Sequence, residues 1–455
     1  MPSKGIIRAA LERAFAEEGC PICRLLLARE ENWLRAVLTE SINDLGMRDR
    51  LAASWGFCHR HAWSMATRTD LGGPLGIAII YESLAGRLLK ECGMDTGDGD
   101  NHHHLAIGRE EYLDQVRPGY SCVSCTAWAE LEQNYTVSFA RYYTQERFAA
   151  LYLSSQGLCL KHLEQALSIL RPSARSFLLR AALAKLERER RAALGAHDRA
   201  YGVRDPLAAI RPRLNLLAGP YPFCLRSGDY YRYGAALGRW AGSRTSRHKS
   251  RCVLCGVERE VEKQEFARLL GSERSAQQDD TRLCSVHAWQ LHSLAVESRR
   301  FEACASWSAR LASSVMGSIE NLLYPERPIP RNEPLLARLR PPRAIAPLVS
   351  RECAVCGAQA KASRSVASEI AQSVAKGAQG AGEANVCLTH FALLVEVAPP
   401  SVASLLRRGQ LGKLRKLWAE LHSYVHKVHW NYQDEPWGEE RDSWRRAVGF
   451  FVGAE

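Results

Sequence analysis

The stretch Gly56–Trp63 reads GFCHRHAW and places a cysteine three residues before a histidine. A C-x-x-C, formed by Cys20 and Cys23, precedes it in the chain. A C-x-x-C together with a later C-x-x-H, here Cys58 and His61, supplies three thiolates and one imidazole. This is the ligand set of a tetrahedral structural zinc site. The open question is whether the residues form such a site, a catalytic pair or a redox centre.

The same combination of motifs occurs four times in the same order. Within the four sets, 34, 33, 28 and 30 residues separate the C-x-x-C from the C-x-x-H. Cysteines that only fill a core as small hydrophobic side chains would not repeat in this way. The sequence therefore predicts four zinc ions, each held by a C-x-x-C and the C-x-x-H that follows it. The predicted quartets are Cys20, Cys23, Cys58 and His61; Cys122, Cys125, Cys159 and His162; Cys252, Cys255, Cys284 and His287; and Cys353, Cys356, Cys387 and His390.

Repetition also distinguishes ligands from bystanders. Three of the four sets contain only one histidine after the third cysteine, so His61 is the expected ligand and His59 is not. Twelve of the 15 cysteines belong to the four sets. The other three are Cys92, Cys224 and Cys304.

The spacing of the motifs indicates a duplication within a duplication. The motifs begin at Cys20, Cys122, Cys252 and Cys353, so successive motifs are 102, 130 and 101 residues apart. The first and third sets share C-x-x-H-A-W, and the second and fourth share C-L-x-H. Two copies of one two-zinc unit, about 1–215 and about 216–455, explain this pattern.

Apolar residues recur at helical spacing along most of the chain, and alternating strand patterns are scarce. The stretch PICRLLLAREENWLRAVLTESI is one example. We therefore predict an all-α fold of tandem helical modules, each crosslinked by a Cys3His zinc site and arranged as a duplicated pair. Proline- and glycine-rich stretches separate the modules. The predicted divisions are module 1 at 1–105, module 2 at 106–203, a basic aromatic linker at 204–251, module 3 at 252–335, and module 4 with a C-terminal helix at 336–455.

Composition restricts the class of protein. The chain has 455 residues, of which 46% are hydrophobic, and this length suffices for several buried cores. We find no apolar run long enough to cross a membrane and no secretory leader. Fifteen cysteines without export favour thiolate ligands in a reducing compartment over disulfides, so we expect a cytoplasmic protein.

Four complete ligand sets favour structural metal over catalysis, because catalytic zinc keeps one coordination position open for water. A redox-labile or metal-sensing zinc switch is an alternative, since C-x-x-C motifs can exchange disulfides. No P-loop, nucleophile elbow or dinucleotide-binding glycine motif is present in a suitable context. We therefore expect a protein that is not an enzyme.

The positive charge is concentrated in one region. The formal net charge of the whole chain is +12, and residues 171–251 alone contain 18 Lys/Arg and 5 Asp/Glu. Arginines beside aromatic residues can pair with phosphates and stack on bases, so 204–251 is either a linker or a nucleic-acid-binding surface. The candidate nucleic-acid contacts are Arg211, Arg213, Arg226, Arg232, Arg239, Trp240, Arg244, Arg247, Lys249 and Arg251.

The motifs CPICRLL and GFCHRHAW, together with the closing DEPWGEERDSWRRAVGFFVG, resemble an uncharacterised bacterial family of C-x-x-C/C-x-x-H proteins, a domain of unknown function. Members are about half this length, so the chain resembles two copies joined. The resemblance implies metal binding at the twelve cysteines and four histidines, and it implies no activity. The first half lacks a clear match to DSWRRAV.

These observations favour a non-catalytic scaffold or interaction protein built from zinc-bound helical modules, with a protein partner. The first alternative is a nucleic-acid-binding protein that uses residues 204–251. The second is the redox- or metal-sensing switch.

Overall fold

A computed structural model of the chain shows an all-α fold, as predicted, and the described residues contain no strand. The described residues are 4–67, 73–93, 122–197, 210–219, 252–271, 282–324, 348, 352–377, 384–432 and 434–453. Short 3-10 helices lie at Trp430–Tyr432 and Glu439–Asp442. The α-helices are α1 Lys4–Ala14, α2 Pro21–Thr39, α3 Leu45–Ala53, α4 His59–Thr67, α5 Gly73–Glu91, α6 Val123–Tyr142, α7 Glu146–Ser154, α8 Leu160–Ile169, α9 Pro172–His197, α10 Arg211–Ala218, α11 Val253–Gly271, α12 Ser285–Glu297, α13 Phe301–Leu323, α14 Ala354–Ala375, α15 Leu388–Val397, α16 Pro400–Val428 and α17 Ser443–Val452.

Local sequence explains where several helices begin. Helices α2, α9 and α16 start at a proline, whose fixed φ suits the first helical position and whose missing N–H is not needed there. Asp44 caps α3, because its side chain accepts a hydrogen bond of 2.7 Å from the backbone N–H of Met47. Among these helices, none has the length and apolarity of a membrane span.

The chain forms two compact units, and each unit draws on both sequence copies. Unit 1 comprises Met1–Arg29, Ala129–Thr245 and Glu262–Gly357. Unit 2 comprises Glu30–Trp128, Ser246–Val261 and Ala358–Glu455. Each of the four zinc modules expected from the sequence therefore contributes residues to both units.

Unit 1 has one continuous hydrophobic core. Helix α13 of the second copy packs against α9 and α10 of the first copy, and α12 also contacts α10. Trp289 of α12 is 2% exposed, and its indole N–H donates a hydrogen bond of 2.9 Å to the carbonyl of Gly219. The core of unit 1 is thus built from helices of both copies.

Unit 2 has its own core with the roles of the copies exchanged. Helix α5 of the first copy packs against α16 and α17 of the second copy, and α4 also contacts α17. The indole N–H of Trp63 in α4 donates a hydrogen bond of 3.0 Å to the carbonyl of Gly453. The pairs α5/α13, α16/α9, α17/α10 and α4/α12 are therefore counterparts in the duplication.

The first copy does contain a counterpart of the terminal helix, contrary to the sequence comparison. Helix α10 ends at Gly219 as α17 ends at Gly453, and each glycine has a positive φ. Leu214 and Leu217 of α10 are buried at the places that Val448 and Phe451 take in α17. The counterpart was missed because its apolar positions are retained while the tryptophan and arginine pair of α17 is not.

Candidate metal centres

Each cysteine motif is formed at the start of a helix. Cys159, Cys284 and Cys387 are the residues before α8, α12 and α15, with extended backbone, and the histidine follows in the first helical turn. Cys58 stands in the same place before α4. The C-x-x-C motifs begin α2, α6, α11 and α14 in the same way. Helix N-termini favour negative charge, so this arrangement stabilises thiolates.

All sixteen predicted ligands lie in four groups, and within each group the ligand atoms lie within 4.8 Å of one another. Every group contains three cysteines and one histidine, as expected from the sequence. His59 belongs to none of them. The groups are site A, Cys20, Cys23, Cys159 and His162; site B, Cys58, His61, Cys122 and Cys125; site C, Cys252, Cys255, Cys387 and His390; and site D, Cys284, His287, Cys353 and Cys356.

The predicted assignment of ligands to quartets is wrong. Each C-x-x-C joins the C-x-x-H of the neighbouring set in its copy, and not the one that follows it first. The reason is the path of the chain between the motifs. Cys20 and Cys23 lie in unit 1, whereas α4 with Cys58 and His61 lies in unit 2. The two motifs of one set therefore belong to different cores, and each site combines the C-x-x-C of one set with the C-x-x-H of another.

The distances within each group fit a tetrahedral ion. Zinc–sulfur bonds of about 2.3 Å and zinc–nitrogen bonds of about 2.0 Å place two sulfurs about 3.8 Å apart, and sulfur and nitrogen about 3.5 Å apart. In site A, Cys23 Sγ is 3.7 Å from Cys159 Sγ, and all three sulfurs are 3.2–3.3 Å from His162 Nδ1. In site D, the Sγ atoms of Cys284 and Cys356 are 3.9 Å apart.

Disulfide bonds do not account for these groups. A disulfide requires sulfurs about 2.05 Å apart, and the cysteines of all four sites are free. Three soft thiolates and an imidazole favour zinc over magnesium, calcium or manganese. The residues present therefore fit a zinc ion at each site.

A carboxylate lies beside the outer nitrogen of every ligand histidine. The Nε2 atom lies 2.5 Å from Glu30 in His61 and 2.8 Å from Glu132 in His162. The corresponding distances are 2.9 Å from Glu258 to His390 and 3.4 Å from Glu262 to His287. An acceptor at Nε2 places the proton there and leaves Nδ1 free to bind the metal.

Sequence reasoning missed these carboxylates, although a signal exists. Glu30, Glu132 and Glu262 each lie seven residues after the second cysteine of a C-x-x-C. Two helical turns separate such residues, so they share a helix face with the motif. At the fourth motif, Ser363 occupies this position.

The second copy replaces the missing carboxylate from another helix. Glu258 of α11 takes the role that Glu132 has in the first copy and contacts His390. The Ser363 hydroxyl donates a hydrogen bond of 2.9 Å to Glu258 Oε1 and so positions the carboxylate. The carboxylate–histidine contact is thus retained although its source has changed.

The electrostatics of the sites favour a cation. Burial alone lowers the pKa of His61, but hydrogen bonds to Cys122, Cys58 and Glu30 outweigh it and raise that pKa to about 11. The same causes at site C raise the pKa of His390 to about 12. Before metal binds, the thiols and carboxylate therefore attract positive charge into the site.

One thiol in each of sites B and C shows the corresponding effect. Hydrogen bonds from Cys125 and then Cys58 hold the pKa of the Cys122 thiol well below its usual range. In site C, hydrogen bonds from Cys255 and Cys387 do the same for the pKa of Cys252. The same bonds raise the pKa of Cys125 in site B and of Cys387 in site C, so one thiolate is favoured in each site before metal binds, and thiolates are the form that binds zinc.

Sites A and C are covered by a glycine of the terminal helix of their copy. A methyl group on Gly219 would lie 3.6 Å from Cys23 Sγ, and one on Gly453 would lie 2.9 Å from Cys255 Sγ. The sulfurs beneath are mostly enclosed, with Cys159 and Cys387 each 2% exposed. We call A and C the covered sites.

Sites B and D each present a cysteine to solvent. Cys125 in site B and Cys356 in site D are exposed, and Cys58 and Cys284 are half-buried. We call B and D the open sites. Each unit contains one covered site and one open site, because A and D lie in unit 1 and B and C in unit 2.

Two of the cysteines left over from the motifs are buried and belong to none of the four sites. Cys92 is 1% exposed and Cys304 is fully buried. Burial raises the pKa of each thiol to about 12, so both are protonated core residues. Cys224 lies outside the described residues.

The structure describes two of the ten candidate nucleic-acid contacts, Arg211 and Arg213. Arg213 is 1% exposed, because it lies in α10 within the core of unit 1, so its assignment as a phosphate contact is wrong. Arg211 is half-buried. Nucleic-acid binding stays a prediction for the others, which lie outside the described residues: Arg226, Arg232, Arg239, Trp240, Arg244, Arg247, Lys249 and Arg251.

Comparison with known proteins agrees with this duplicated arrangement of sites. The model of a family of unknown function, DUF6062, matches residues 5–177 and again 244–455. The chain belongs to this family. DUF6062 is thus present in two copies, as the motif spacing predicted.

One curated relative is similar to part of the chain. It is described as an uncharacterized 23.9 kDa protein in the xynA 3′ region of Caldicellulosiruptor sp. (strain Rt8B.4). The two are 29% identical over 154 residues, which cover 34% of this chain and 68% of the relative. No solved structure matches the chain.

Proposed function

We propose that this DUF6062 protein is a non-catalytic, zinc-binding interaction protein, in which four zinc ions hold its helices in the form that a protein partner binds. One observation carries the proposal. In each site, four protein side chains lie close enough together to occupy all four positions around a tetrahedral ion. No position is then left for a water or substrate, which catalytic zinc requires.

The surroundings of the ligands support a structural role. The outer nitrogen of each histidine lies against a carboxylate, which holds the imidazole as a ligand and engages its remaining proton. Zinc binding to sites of this kind contributes roughly 10–16 kcal/mol in peptides. The ions would therefore act mainly on folding and on the surface that the fold presents.

The metal content is tested first. Elemental analysis of protein purified without added metal should give four zinc ions per chain. Replacement by cobalt should give the absorption of tetrahedral sulfur-rich sites. His162→Cys keeps four ligands at site A and should retain zinc, whereas His162→Ala should lose it. If His162→Cys retains its full zinc content but no longer replaces the unaltered protein in the native host, the imidazole does chemistry there. That result would contradict the structural role.

The partner is tested with the same pair of variants. The tagged full chain, purified from its native host after chemical crosslinking, should retain a protein in stoichiometric amount. That protein should be retained by His162→Cys and lost with His162→Ala. The eluate should also be treated with nuclease. If nuclease removes nucleic acid and abolishes all binding, the alternative based on residues 204–251 is favoured.

A specific observation favours a second candidate, a zinc switch that responds to oxidants. Cys125 and Cys356 are exposed, so an oxidant can reach the open sites. Hydrogen peroxide would take two electrons from two zinc-bound thiolates, form one disulfide, be reduced to water with two protons, and release the zinc ion. Cys58 lies 3.7 Å from Cys125 and is a candidate disulfide partner in site B.

Zinc release under mild peroxide separates the two candidates. A switch predicts rapid release of two zinc ions per chain, disulfides at Cys125 and Cys356, and recovery with a thiol reductant. A purely structural protein retains all four ions under the same treatment. Cys125→Ser is unsuitable alone because it removes a ligand, so the disulfides should be mapped in the unaltered chain.

A further inference from the structure

The strongest unassigned feature is the surface by which the two sequence copies meet. In unit 2, α5 of the first copy lies along α16 and α17 of the second copy. The ring of Tyr81 in α5 is fully buried, and its centroid lies 5.2 Å from that of Phe451 in α17. Without the second copy, this apolar face of α5 would be exposed to solvent.

Unit 1 repeats these contacts with the copies exchanged. Helix α13 of the second copy lies along α9 and α10 of the first copy. Trp307 and Val315 of α13 are 2% and 1% exposed, in the same core as Leu178 of α9. The second copy thus needs the first copy in unit 1 as the first needs the second in unit 2.

The covers of the metal sites are exchanged as well. Gly453 lies over site C of the second copy, but Trp63 of the first copy holds its carbonyl. Gly219 lies over site A of the first copy, and Trp289 of the second copy holds it. Each copy therefore fastens the glycine that covers the other copy's site.

We propose that the chain is a covalently joined pair, in which each copy is the obligate binding partner of the other and the junction at 220–251 is not needed to hold them together. The partner that fits this surface is a second DUF6062 copy. Reciprocal use of equivalent surfaces is the hallmark of an isologous, two-fold dimer interface. This pairing of the copies goes beyond the proposed function, because it does not depend on what the protein binds.

The test uses the full, zinc-loaded chain with a specific protease site inserted within 220–251. After complete cleavage, size-exclusion chromatography with light scattering should show one species with the mass of the uncut chain, 50.8 kDa. Helical circular dichroism should be unchanged. Two separate, folded species of about half that mass would overturn the proposal.

Point variants of the cut protein test the surface itself. Trp289→Ala should raise the dissociation constant of the two fragments at least tenfold while the uncut variant stays folded. Trp128→Ala is the matched control, because Trp128 bonds to Ser124 and packs on Trp33 within its own copy. It should leave the dissociation constant within about threefold. Equal effects of the two variants would contradict the assignment of the surface.

Discussion

The covered sites A and C and the open sites B and D use the same ligands in the same geometry, but their surroundings differ. Backbone at Gly219 and Gly453 lies against the sulfurs of A and C. Cys125 and Cys356 of B and D face solvent. Solvent access and the groups around the ligands tune a metal site as much as the ligands do. We therefore expect metal bound at A and C to persist and metal bound at B and D to exchange.

The largest expected effect is that of removing the metal. A strong chelator at neutral pH should take two zinc ions quickly, from the open sites, and two slowly. Removal of all four should abolish most helical circular dichroism, because zinc contributes about 10–16 kcal/mol per site and whole domains are stable by only about 5–15 kcal/mol. Stopped-flow chelation with a zinc indicator measures the phases. Release of four ions in one phase would erase the distinction between the sites, and a zinc-free protein with full helicity would contradict the structural role.

The next effect concerns the cover of site C. Gly453→Ala should lower the free energy of unfolding by about 3 kcal/mol. Gly453 has φ +93° and ψ 174°, a region essentially restricted to glycine, where another residue costs on the order of 1–3 kcal/mol. The added methyl would also lie 2.9 Å from Cys255 Sγ. Thermal unfolding in excess zinc measures the loss.

Two glycine variants serve as controls. Gly219→Ala meets its nearest sulfur only at 3.6 Å and should cost less, about 1–2 kcal/mol of backbone strain. Gly412→Ala within α16 has open space around it and should be neutral or stabilising by up to about 1 kcal/mol. A cost at Gly219 equal to that at Gly453 would show that contact with the sulfur is unimportant.

A smaller effect is expected from the carboxylates behind the histidines. Glu132 accepts from His162 at 2.8 Å, and Glu262 lies 3.4 Å from His287. Burial raises the pKa of Glu132, but bonds from His162 and Lys161 lower it to about 2, so it is ionised at neutral pH. Glu132→Gln should weaken zinc at covered site A by about 10–100-fold, and Glu262→Gln should weaken open site D by about tenfold or less. Competition with a calibrated chelator measures both; a larger loss at site D would contradict the ranking.

The smallest effect is that of Ser363→Ala, which removes the hydrogen bond that positions Glu258 at site C. A typical hydrogen bond contributes about 1 kcal/mol, so zinc affinity at site C should fall about fivefold. Ser368→Ala is a matched control on the same helix, since the Ser368 hydroxyl donates to the backbone carbonyl of Arg364. An equal loss of zinc affinity in both variants would mean that Ser363 acts through the helix and not through Glu258.

The sequence was sufficient for the ligands, the helical class and the duplication. Motif repetition decides these, because four sets in one order leave little freedom in the choice of ligands. The sequence was not sufficient to predict which C-x-x-C shares a site with which C-x-x-H. A C-x-x-C can join any C-x-x-H that the fold brings near, and connectivity of this kind does not follow from spacing. Here α2 begins in one core and α4 belongs to the other, so the nearest motif in sequence is not the nearest in space.

The other omissions have similar causes. Glu30, Glu132 and Glu262 were visible as a repeated position seven residues after three of the four C-x-x-C motifs, but a lone glutamate on a helix is usually a solvated residue. Helix α10 was hidden because its buried leucines do not resemble the aromatic residues of α17. Arg213 was wrongly predicted to contact phosphates, because composition alone cannot show that a basic stretch includes a buried helix.

The crossed pairing of ligands is tested most directly by an anomalous difference map of crystals measured at the zinc absorption edge. The account predicts four peaks, one of them bounded by Cys20, Cys23, Cys159 and His162. A peak bounded by Cys20, Cys23, Cys58 and His61 would contradict it.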